Sequence, residues 1–119
     1  MTSRERVLTS LNHKEPDRVP YDLGGTVISG IHIKAYQALR DYLGLSSIEP
    51  KIIDIFQQIV QVDDDVIERL GVDVKNVSPR SSATYKINIK EMAEYTYFYD
   101  EFQIGWRMPK EGGWYYDMF

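Results

Sequence analysis

The chain has 119 residues, 43% of them hydrophobic and 27% charged, which is enough apolar material for one core. A net charge of −4 and a pI near 5.1 argue against a general nucleic-acid binder, which would need a basic face for phosphate. No run approaches the ~20 apolar residues that span a bilayer, so no membrane partner is expected. The absence of cysteine removes disulfides, thiolate zinc ligands and a cysteine nucleophile from this stretch. The N-terminus lacks the apolar core of a signal peptide, so the cytoplasm is the expected compartment.

In chain order, Thr2-x-x-Glu5 reads as a capping box, with Val7, Leu8 and Leu11 on one face of a short helix. Pro16 disfavours a helical residue before it and ends that helix. Arg18–Leu23 reads as a strand, with Pro20 suited to its start or to a sheet edge, and it runs into Gly24-Gly25. Ser29 is the expected N-cap of a helix over Ser29–Leu43, whose apolar stripe is Ile31, Ala35, Leu39 and Tyr42/Leu43. Gly44 suits the left-handed position behind it.

Between Lys51 and Val62, Ile52, Ile55/Phe56 and Ile59 repeat at helical spacing, although the β-branched content also fits a strand; the spacing favours a helix. Asp63-Asp64-Asp65 then opens a helix over Val66–Leu70 that stops at Gly71. Val72–Val77 reads as a second strand and Ser78–Ser82 as the loop beyond it. Strand, helix and strand with a long crossover predict that residues 17–24 and 72–77 are parallel neighbours. Most aromatic residues follow residue 84, and only Tyr21, Tyr36, Tyr42 and Phe56 precede it. Phe102–Met108 and Trp114–Met118 flank Pro109–Gly113, the pattern of an antiparallel hairpin with a glycine-containing loop.

Three of these segments together resemble a known family. Arg4–Leu8 through Asn12–Pro20 is similar to the start of the uroporphyrinogen decarboxylase superfamily, which also contains corrinoid-dependent methyltransferases. Val66–Val74, reading VIERLGVDV, resembles that family's helix into its second barrel strand. Asp100–Trp106 with Trp114–Asp117 is similar to a hairpin in its less characterised members.

The resemblance implies an α/β fold, the N-terminal portion of a TIM (β/α)8 barrel, with residues 83–119 as an aromatic-rich β-hairpin insertion. A whole barrel needs about 250 residues. The chain would then be part of a longer enzyme, or a truncated product, inactive alone and with sheet edges to cover.

The implied chemistry is tetrapyrrole decarboxylation or methyl transfer involving a corrinoid, and the decarboxylase pattern departs at two places. Its Arg-Gln-Ala-Gly-Arg segment matches Gly25–Ser29, where both arginines are missing, and its essential aspartate falls in Ser78-Pro79-Arg80, at arginine. A pocket for acidic side chains would lose its charge partners. A divergent, methyltransferase-like member is therefore expected, with a corrinoid protein as a possible partner and zinc and corrinoid sites outside this stretch. The rival expectation is a small aromatic-rich binding module without catalysis.

Six residues are candidate site residues. Asp22, near the end of the first expected strand, could orient a polar substrate or act as a base, or could simply pair with Arg18 or a backbone amide. His32 could serve as acid, base or ligand at the barrel mouth, or could cap a helix. Gly24 and Gly25 could cradle an anion or make a tight turn. Ser29 could contact substrate or cap the helix, and Arg80 could hold a carboxylate or phosphate. Asp22, His32 and Arg80 are expected to share one cavity. The three aspartates at 63–65 fit helix capping and the positive end of the helix dipole better than a cation site.

Overall fold

Thr2 sets the first element. Its hydroxyl accepts the Glu5 amide (3.3 Å) while the Glu5 carboxylate accepts the Thr2 amide (2.8 Å), closing the expected capping box on α1 (Ser3–Leu11). The computed structural model describes residues 1–80 and 82–119. Ser81, within the expected 78–82 loop, lies outside the described residues. The chain divides into two compact units, residues 1–53 with 59–77, and residues 54–58 with 78–119.

In the first unit α1 is followed by β1 (Ile31–His32), α2 (Ile33–Tyr42), β2 (Ile52–Asp54), β3 (Ile59–Val60) and α3 (Asp64–Leu70). The sheet order is β1-β3-β2, with Ile31 opposite Val60 and His32 opposite Ile59 in antiparallel register. Tyr36, Val60, Val62 and Val66 form the buried core, and Leu39, Leu43, Ile67 and Leu70 pack against it. Gly44 (φ +68°) and Gly71 (φ +64°) end α2 and α3 in the left-handed region, where a side chain would be strained.

The fold differs from the sequence expectation at its centre. The described residues form two antiparallel sheets with three short helices, not alternating strand–helix units, which overturns the expected N-terminal portion of a (β/α)8 barrel. Arg18–Leu23 and Val72–Val77 are not strands. They run side by side, joined by the Asp73 amide donating to the Tyr21 carbonyl (2.7 Å) and by side chains. Pro20 has no amide hydrogen to extend a ladder there.

The Ser29–Leu43 helix is shorter than expected and starts at Ile33, because residues 26–29 close a turn of their own. Lys51–Val62 is not a helix. Asp54 accepts the Phe56 and Gln57 amides (2.8 and 3.2 Å) and Gln58 takes φ +56°, so the chain reverses between β2 and β3.

The second unit is the aromatic sheet β4 (Lys90–Glu91), β5 (Tyr95–Tyr99), β6 (Gly105–Pro109) and β7 (Asp117–Met118), paired in that order and antiparallel throughout. Trp106 lies opposite Met118 and Arg107 opposite Asp117, so the two arms of the expected hairpin do pair; β5 is a strand the sequence reading did not pick out. Strand alternation sorts the rings by face. On one face Phe98, fully buried, meets Phe56 (centroids 5.6 Å) and Tyr116 (4.9 Å), and Trp106 sits edge-on to Phe56 at 4.6 Å. On the other, Tyr95, Tyr97, Tyr99 and Phe119 gather, with the Arg107 guanidinium 5.7 Å over Tyr95 and 5.4 Å over Phe119. Among the described residues no helix is long and apolar enough to cross a membrane.

Candidate functional site

The most densely bonded polar group of the first unit is a four-residue ion cluster. Asp73, whose side chain is wholly buried, receives Arg6 Nη1 at 2.5 Å and Arg18 Nη1 at 2.7 Å on its two oxygens, and also accepts the Tyr21 amide at 2.9 Å. Arg6 turns its other nitrogens on Asp17 at 2.6 and 2.9 Å. Arg18 Nη2 reaches the Gly71 carbonyl at 2.8 Å. The Tyr21 amide, with Ser3, Arg18 and Arg6, holds the Asp73 carboxyl well below its ordinary range against the opposing effect of burial. Arg6 does the same for Asp17, and Asp17 first and Asp73 second push the Arg6 guanidinium further up. The buried charges of Arg6 and Asp73 hold position because each is paired and hydrogen-bonded.

A second cluster ties α2 to α3. The Tyr36 hydroxyl donates to Asp63 Oδ2 (2.5 Å) and accepts the Asp63 amide (2.8 Å), while Arg40 makes a bidentate pair with Asp65 (2.9 and 2.8 Å). Burial first, then Asp63, pushes the Tyr36 phenol up, and Arg40 holds the Asp65 carboxyl below its usual value. Asp64 pairs with Lys75 at 2.6 Å. The three aspartates therefore act as partners for neighbouring side chains; Asp63 occupies the N-cap position of α3 without a side-chain cap bond, contrary to the capping expectation.

Asp22, Gly24, Gly25 and Ser29 fall in the loop before β1, His32 ends β1 at the start of α2, and Arg80 lies apart. Asp22 Oδ1 accepts the Gly25 amide at 2.8 Å. The Gly24 amide donates to the Ser29 carbonyl at 2.8 Å and its φ is +79°. Both glycine amides thus close the loop on itself, which is the tight-turn role and leaves neither aimed at an anion. Each glycine is also confined. A Cβ at Gly24 would lie 2.6 Å from Val62 Cγ2, and one at Gly25 would lie 2.5 Å from Asp22 Oδ1 and 2.7 Å from Val74 Cγ1. Ser29 bonds to Thr26 and does not cap α2. His32 is the N-cap: its Nδ1 accepts the Lys34 amide at 3.1 Å. Arg80 is exposed and belongs to the second unit, whereas Asp22 and His32 belong to the first.

The second unit carries a cavity that sequence reasoning missed. It has a volume of about 490 Å³ and is lined chiefly by Phe56, Tyr85, Lys86, Ile87, Asp100 and Glu101. Its walls come from three separate stretches, which no local pattern could bring together. Two carboxylates face one lysine there, the wrong balance for an acidic tetrapyrrole. Its size is that of a small-molecule pocket.

Among the described residues no group of three His, Asp or Glu is placed to hold a metal ion, and the chain has no cysteine. Compared with protein-family models, curated proteins and solved structures, the chain matches none.

Proposed function

We propose that this chain belongs to a divergent uroporphyrinogen-decarboxylase-like protein that takes part in corrinoid-linked methyl transfer and not in uroporphyrinogen decarboxylation. The observation that supports the reading most is the Arg6–Asp17–Arg18–Asp73 cluster. Its members come from two of the three segments that carry the resemblance, residues 4–20 and 66–74, and they bond to one another, although Arg18 also lines a neighbouring pocket. Those segments are then scaffold, and the reading does not extend to a barrel. The decarboxylase branch is disfavoured because Gly25–Ser29 contains no arginine and Arg80 stands where that branch has aspartate. On this reading the corrinoid is carried outside the residues described here, by a partner corrinoid protein.

The test uses protein expressed from its complete reading frame. It is incubated with methylcobalamin and a thiol acceptor, and separately with uroporphyrinogen. The proposal expects loss of the methylcobalamin absorbance above the protein-free rate, with no decarboxylation. Decarboxylation of uroporphyrinogen with methylcobalamin left intact would reverse the assignment.

A further inference from the structure

The cavity of the second unit has three properties that together select a ligand. It is the right size, since about 490 Å³ lies in the range of ordinary small-molecule pockets. Its walls are held in place. Phe56 is wedged against Phe98 and Trp106, and the Tyr85 hydroxyl donates to the Tyr99 carbonyl, which fixes the tyrosine ring. Its charge is negative. Asp100 Oδ1 accepts the Phe102 and Ile104 amides, both at 2.9 Å, and Oδ2 accepts the Trp106 indole at 2.9 Å, so this carboxylate is anchored at the wall. Glu101 adds a second carboxylate against the single ammonium of Lys86.

We infer that this cavity binds a small organic cation with an apolar body, an amine or quaternary ammonium whose charge faces Asp100 and Glu101 while its body lies against Phe56, Tyr85 and Ile87. Aromatic rings in the lining, Phe56 and Tyr85, suit a cation, and the carboxylates disfavour an anion of the same shape. Burial pushes the Asp100 carboxyl up, but the Trp106, Ile104 and Phe102 donors outweigh it and keep the group ionised and below its usual range. The inference does not depend on the methyl-transfer reading, because it rests on the second unit alone.

Trp106 touches Phe56 and bonds to Asp100, so its emission reports on the cavity. The full chain carrying Trp114→Phe is titrated with benzyltrimethylammonium, benzyl alcohol and benzenesulfonate. The cation is expected to give a saturable change and to bind at least about tenfold more tightly than the sulfonate. Glu101→Lys should weaken the cation about tenfold and strengthen the sulfonate, and Lys86→Met should tighten the cation. Both residues are exposed, so both variants are expected to fold, and Glu101→Gln, which keeps the side-chain shape, should lower cation affinity in the same direction. A cation titration that does not saturate, or a sulfonate that binds as tightly as the cation, would overturn the inference.

Discussion

Arg18 grips Asp73 with both terminal nitrogens, Nη1 to Oδ2 at 2.7 Å and Nη2 to Oδ1 at 3.2 Å, across 55 residues of sequence. That fork pins the residues after α3 beside the segment after α1, where no strand ladder does so.

The first prediction follows from the sign of the carboxyl shifts. Asp73 and Asp17 both lie below their ordinary values in the folded chain. Their contribution to stability is present above the unfolded value of about 3.9 and is lost as pH falls from there through the folded values. Urea midpoints measured from pH 7 down to pH 2 should drop steeply below about pH 4. Asp73→Asn should start lower at pH 7 and show a shallower drop. Parallel curves for the two proteins would show that Asp73 is not coupled to folding.

The second concerns the loop before β1. Gly24→Ala meets both a positive φ and Val62, and should cost about 1–3 kcal/mol in urea unfolding. Gly112 has a similar φ of +70° with open space around it, so Gly112→Ala should carry only the backbone strain, about 1 kcal/mol. Equal losses would mean that the contact with Val62 adds nothing.

The third separates the core of the aromatic sheet from its rim. Phe98→Ala removes a fully buried ring and should cost about 3–5 kcal/mol. Phe102 is 76% exposed, and Phe102→Ala should fall within about 0.5 kcal/mol of the parent protein. Denaturation of both variants, followed by tryptophan emission, checks the difference.

The fourth decides between the two roles of His32. If capping is its whole role, His32→Ala should lower stability by about 0.5–2 kcal/mol and His32→Asn should restore it. If the proposed methyl transfer holds, its rate in the folded His32→Asn protein should equal that of the parent. A rate lost at restored stability would place His32 on the substrate.

The sequence made the local punctuation legible. Thr2 with Glu5, Gly44, Gly71 and the two arms of the aromatic hairpin each follow from chemistry within a few residues, and each stands where it was expected. The barrel came from the family resemblance, added to a strand–helix–strand reading of residues 17–77 that also failed, and two-residue strands paired antiparallel replace it. Lys51–Val62 misled because isoleucines at 52, 55 and 59 repeat at helical spacing although their β-branched side chains suit a strand, while the deciding features were the Asp54 turn and the left-handed Gln58. Arg6, Arg18 and Asp73, like the lining of the cavity, are joined only by the tertiary fold. No spacing rule reaches across such separations.

The central claim is that the family-like segments are bonded to each other as scaffold, and a double-mutant cycle on Arg18 and Asp73 tests it most directly. Arg18→Met, Asp73→Asn and the double variant are melted in urea at pH 7 and again at pH 2. The account predicts a favourable coupling at pH 7 that is weaker at pH 2, where the unfolded chain's carboxyl has already taken up its proton. A cycle showing no coupling at pH 7 would contradict it.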